Sequence, residues 1–132
     1  MVKVLFDHNM PYNLAASLDV LVRPDGHEAH ALKNKFPTTI SDEEYFRELS
    51  KEKDWIVISK DVKNAKRAPE RRVIMNSGVL AFYLAPSVQK LRVNEQAATI
   101  LWQWDKLVEQ RKNNANGMFL LPIGKRSKFT AI

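Results

Sequence analysis

The 132-residue chain contains no cysteine. That excludes a disulfide framework, a zinc–thiolate site and a thiol nucleophile, and it suits a reducing cytoplasm, the expected location. Long apolar runs are missing too. The longest near the start is Val4 to Phe6, cut off at once by Asp7, so neither a secretory core nor a membrane span can be drawn. No repeat or low-complexity segment occurs. With 45% hydrophobic and 27% charged residues, the composition is that of one folded domain over 1–132. Acid is absent from one long stretch: after Glu109 the chain carries Arg111, Lys112, Lys125, Arg126 and Lys128 with no Asp or Glu.

The basic charge that is present is clustered. The formal net charge is +6, and Lys60, Lys63, Lys66, Arg67, Arg71 and Arg72 crowd one short segment. Such a patch favours an anionic partner, and Lys60, Lys63, Lys66, Arg67 and Arg71 are the candidate phosphate contacts. The plainer reading is a solvated charged face.

Hydrophobic patterning gives a strand over 2–6 and an amphipathic helix from Pro11 to about residue 20, with Leu14, Ala15, Leu18 and Leu21 at helical spacing. "HEAHAL" reads as a second strand and 33–40 as loop. "ISDEEYFRELSKEKD" is the clearest helix, capped by Ser41, boxed by Glu44, with Tyr45, Phe46 and Leu49 as its buried stripe. "DWIVIS", "VLAFYLA" and "GMFLLPI" read as further strands. A short helix runs from Pro69 towards Gly78, and one long helix spans 89–113. Strands alternating with helices predict an α/β fold: a doubly wound, mostly parallel sheet of about five strands with helices on both faces.

In such a sheet, residues just beyond the carboxyl ends of the strands share one edge. Asp7 follows the first strand and Asp61 follows "WIVIS", so both face one crevice although 54 positions separate them. Helix geometry turns Asp42 inward between Phe46 and Leu49, and a right-handed crossover brings the start of that helix to the same edge. Glu70, sharing a face with Val73 and Ile74, is a fourth candidate. Clustered carboxylates repel one another, and a cation relieves that repulsion. Hard oxygen donors select Mg²⁺ or Mn²⁺, ions that keep several waters and pair with phosphates. The implied chemistry is metal-assisted phosphodiester hydrolysis.

These residues resemble the PIN-domain ribonucleases, and more closely the compact PIN-like proteins whose first strand ends in an Asp-x-Asn-x-Pro pattern, here "LFDHNMP". The resemblance continues through "GHEAHAL", "SDEEYFREL" and "WIVISKDVK" in family order; the second half of the chain is similar in architecture alone. It implies that Asp7, Asp42 and Asp61 bind the metal, that Asn9 supports the site, and that the protein is a Mg²⁺- or Mn²⁺-dependent endoribonuclease acting on RNA. It further implies a toxin held by a cognate antitoxin. One acid of the usual PIN set has no counterpart at Asp25 or Glu28, and Glu70 is the candidate to fill that place.

Each acid also has an ordinary explanation. Asp7 serves as a cap for the following helix, Asp42 as a first-turn acid favoured by the helix dipole, Asp61 as a turn residue, and Glu70 as a partner of Arg67 or Arg71. On the long helix, Val93, Ala97, Ile100, Leu101, Trp104, Leu107 and Val108 make the core face, which leaves Trp102 outside. An outward tryptophan predicts a contact: a homodimer interface, an antitoxin groove or a stacking site for RNA. The alternatives to an enzyme are a catalytically silent PIN-like module that binds RNA or protein and, more weakly, a phosphoacceptor receiver domain. A receiver requires Ser or Thr after the fourth strand, where this chain has Ala85 and Pro86.

Overall fold

Uninterrupted apolar runs become the centre of the sheet. In the computed structural model, which describes residues 1–132 apart from the side chains of Asn64 and Ala68, the strands are β1 (Lys3–Phe6), β2 (Glu28–Ala31), β3 (Trp55–Ser59), β4 (Leu80–Leu84), β5 (Gly117–Leu121) and β6 (Thr130–Ala131). Their order is β2-β1-β3-β4-β5-β6. The first five are parallel, and β6 runs antiparallel to β5. Every residue of β3 and β4 is buried, as parallel strands covered on both faces require.

The helices are α1 (Tyr12–Val22), α2 (Leu32–Lys35), α3 (Asp42–Leu49), α4 (Val62–Lys66), α5 (Ala68–Met75), α6 (Pro86–Gln89), α7 (Val93–Trp102) and α8 (Trp104–Asn113). They divide the core in two. Val4, Phe6, Ile56, Ile58, Leu80 and Phe82 pack with Leu14 and Leu18 of α1, Ile100 of α7, and Trp104 and Leu107 of α8. Leu5, Val57, Ala81 and Met118 point to the other face and pack with Tyr45, Phe46 and Leu49 of α3 and Ile74 of α5. The period-two alternation of a strand sends neighbouring residues to opposite layers. The fold is therefore α/β, doubly wound and mostly parallel.

Three features depart from the sequence pattern. The expected single helix over 89–113 is divided, because Arg92 begins a new helix with Glu95 Oε1 accepting from its backbone N–H, and the chain breaks again at Gln103. Gln103 is fully buried and its amide donates to the Pro122 carbonyl. The buried stripe runs through Gln96, Ile100, Trp104 and Leu107, so the assigned core residues Val93 and Leu101 are exposed, and Gln96 takes a buried place instead. The start of the expected 33–40 loop is helical in α2, and α4 precedes the helix expected from Pro69. The two-residue β6 carries too little apolar pattern to be read as a strand.

Candidate functional site

The turn after β1 puts an acid where water is excluded. Met10 N–H donates to the Asp7 carbonyl at 2.9 Å, closing a tight turn, and the cap of α1 is Pro11, which makes no side-chain capping bond. Asp7 therefore does not cap that helix. It is 4% exposed. Its Oδ1 accepts from His8 N–H at 2.7 Å and lies 3.0 Å from His8 Nδ1. Its Oδ2 accepts from Ser59 Oγ at 3.1 Å. A buried carboxylate persists when it is hydrogen-bonded in this way.

Register explains the pairing with Ser59. Phe6 aligns with Ile58, and Asp7 N–H donates to the Ile58 carbonyl at 3.0 Å, which carries the alignment one residue further. Ser59 in turn aligns with Tyr83 on β4. Ser59 Oγ is a hub: it donates to Asp7 and accepts from Asp61 N–H at 3.0 Å and Asn9 Nδ2 at 3.2 Å. A hydroxyl with one hydrogen and two lone pairs is then fully used. Asn9 Oδ1 accepts from Lys60 N–H at 3.3 Å, so Asn9 ties the β1 turn to the β3 turn. This is also the topological switch point, since β2 and β3 lie on opposite sides of β1.

The third acid arrives on α3. Ser41 caps it by accepting from Glu44 N–H at 3.2 Å, and Asp42, the first helical residue, is half-buried. Tyr45 lies one turn further on the inner side, 1% exposed. Burial pushes the Tyr45 phenol up, and the charges of Asp7 and Asp42 push it further. The Tyr83 phenol is raised by burial first and then by Asp42, Asp7 and Asp61 together, with Arg71 opposing. One buried hydroxyl thus lies within electrostatic reach of all three acids. Glu70 is half-buried on α5, and its Oε2 is buried without a hydrogen-bond partner.

Sequence reasoning missed Ser59, Tyr45 and Tyr83 as parts of this site. Tyr45 was legible as a core residue only, and a strand buried on both faces hides which of its residues point to a given helix. His8 stays at the rim, its side chain 53% exposed. His27 and His30 are engaged elsewhere: His27 Nδ1 accepts from Val2 N–H at 3.0 Å, and His30 Nε2 lies 2.7 Å from Glu28.

Of the basic residues, Lys63 and Lys66 on α4 and Arg67 just after it are exposed beyond the β3 end, and Lys60 is half-buried there. Arg71 is partly committed, donating to the Ile132 carbonyl at 2.5 Å. Arg111 lies at the opposite edge, where its guanidinium donates to the carbonyls of Trp55, Gly78, Asn114 and Ala115. It binds the fold together there. A cavity of about 630 Å³ lies on that far side against Asp54 and Arg111, away from Asp7.

Among the described residues, no group of three His, Asp or Glu side chains already encloses a metal-sized point. Mg²⁺ does not require one, because it commonly takes one or two carboxylates and completes its shell with water and substrate phosphate. The donor chemistry fits: carboxylate oxygens, two phenols made harder to ionise by burial and then by the surrounding negative charge, and a Glu70 carboxylate oxygen without a hydrogen-bond partner among the described residues.

A family model described as a PIN like domain matches residues 2–86, well over half of the chain. That span holds Asp7, Asp42, Asp61 and Glu70. No curated protein and no solved structure matches the sequence.

Proposed function

The chain belongs to the PIN-like domain family, and from that premise we propose that it is a metal-dependent endoribonuclease that hydrolyses RNA phosphodiester bonds. Its fold is of the nuclease type. The observation that carries the reading is the junction at the switch point of the sheet, where Ser59 Oγ donates to the buried Asp7 carboxylate and accepts from the Asp61 amide.

Asp7, Asp42 and Asp61 would hold Mg²⁺ or Mn²⁺, with Glu70 as the fourth carboxylate. When bound, the ion supplies a field that acidifies water and steadies charge developing on phosphate oxygens. The chain's own residues do the positioning. Ser59 fixes one oxygen of Asp7 and the His8 amide fixes the other, which limits how the carboxylate can turn. Asn9 and the Asp61 amide, both on Ser59, lock the two strand ends at one spacing. Lys60, Lys63, Lys66 and Arg67 attract the RNA backbone to that edge. As part of the same proposal, the protein is the toxin of a toxin–antitoxin pair. The 62% exposed Trp102 on α7 supports a protein contact there, with an antitoxin or a second copy.

The test is cleavage of single-stranded RNA with Mn²⁺, with and without EDTA. EDTA abolishes cleavage, and Asp7→Asn combined with Asp61→Asn lowers it by roughly 100-fold or more, beyond what outer-shell changes produce. Cleavage that survives the double substitution sinks the proposal.

One observation favours a silent RNA- or protein-binding module instead. Asp7 already accepts from Ser59 and the His8 amide, which occupies two of about four lone-pair directions. Titration with Mn²⁺ separates the readings: salt-sensitive RNA binding without any metal binding at millimolar Mn²⁺ selects the module.

A further inference from the structure

We propose that the cavity beside Asp7, between the β1–α1 turn and α2, is a nucleobase subsite that sets which nucleotide lies next to the scissile phosphate. The proposal rests on the nuclease reading for its role but not for its ligand. The cavity measures about 330 Å³, at the small end of ligand sites. Its floor is apolar, formed by Phe6, Met10 and Leu32, all buried. Its rim is polar, formed by Tyr12, Lys33 and Thr38. An apolar slot with a few polar groups at the mouth suits a flat heteroaromatic ring.

Tyr12 is the feature that points to a base. The residue remains 42% exposed although Lys33 Nζ lies 4.0 Å above its ring centroid and Asn34 Nδ2 donates to its hydroxyl at 3.3 Å. Two neighbours thus hold an aromatic face in place at the mouth of a cavity, where an exposed tyrosine would otherwise turn freely. A preset ring is a stacking platform, and a cation on it answers a phosphate. Asp7 belongs to both the cavity wall and the acid site. A base seated against Tyr12 therefore presents its adjoining phosphodiester to the carboxylates.

The experiment is NMR titration of the intact protein with AMP, CMP, GMP and UMP, following the Met10 methyl and the Tyr12 ring. At least one mononucleotide shifts both signals at millimolar concentration. Tyr12→Ala weakens that binding by roughly ten-fold, the scale of one lost base–aromatic stack, and Tyr12→Phe restores it. Cleavage sites in a mixed-sequence RNA are mapped separately. Binding without any cleavage upholds the subsite and removes the nuclease reading. Cleavage whose nucleotide preference is the same in Tyr12→Ala as in the parent overturns the subsite alone, as does the absence of any shift at Met10 and Tyr12.

Discussion

A serine hydroxyl that spends its one hydrogen and both lone pairs on Asp7, Asp61 and Asn9 joins the ends of two strands. Its neighbours Tyr45 and Tyr83 set a measurable property of the fold. Burial, and then nearby carboxylates, hold both phenols above their ordinary range. The unfolded chain ionises tyrosine near pH 10, so above about pH 10 it binds fewer protons than the folded one. Stability is intact below that pH and falls as pH rises, by about 1.4 kcal/mol per pH unit for each phenol. Denaturant unfolding across the alkaline range measures this slope. Tyr83→Phe flattens it, and an unchanged slope would mean that the fold does not hold this phenol neutral. Asp7 and Asp61 could be brought to one edge from strand patterning alone. Tyr83 could not, because "VLAFYLA" is apolar throughout and alternation gives no face until the partner register is known.

At the level of elements, α3 and the α7–α8 break teach opposite lessons. The start of α3 was written locally: Ser41 caps by accepting from Glu44 N–H, its hydroxyl donates to the Glu44 side chain in place of the expected reciprocal box, and Asp42 comes next. Ser41→Ala should cost about 1 kcal/mol of stability. If Asp42 helps to hold Mn²⁺, loss of the cap loosens the turn that carries it and weakens Mn²⁺ affinity as well, and Ser41→Asn keeps both. Thermal unfolding and metal titration check the two effects together. The break at Gln103 was invisible because each half of 89–113 has good helical periodicity by itself. It is decided by a remote carbonyl on Pro122 that accepts from the buried amide. Trp102 is exposed as the pattern predicted, but its neighbour Leu101 joins it at the surface, outside the stripe of Gln96, Ile100, Trp104 and Leu107.

At the level of the whole molecule, charge and topology act together. The exposed Lys63, Lys66 and Arg67 lie at the acid edge, whereas Arg111 is committed to carbonyls at the opposite one. If RNA is held by the former, log K falls linearly with log salt concentration, by about 0.7 for each single-strand phosphate contact. Replacing Lys66 and Arg67 by alanine should reduce the slope by about that amount for each. Filter binding over a salt series measures it, and an unchanged slope would place the RNA elsewhere.

The sequence by itself determined the α/β class, the order of the first three strands' apolar runs, the cap of α3, and the positions of Asp7 and Asp61 just past strand ends. These are properties of local pattern, where the period of two or of 3.6 residues shows directly. The tertiary structure alone decided that Ser59 joins the acids, that Tyr83 lies among all three, that Arg111 serves the fold, and that Tyr12 stands beside a cavity. Each of these depends on register, helical phase or the approach of residues far apart in the chain, which one-dimensional periodicity does not contain.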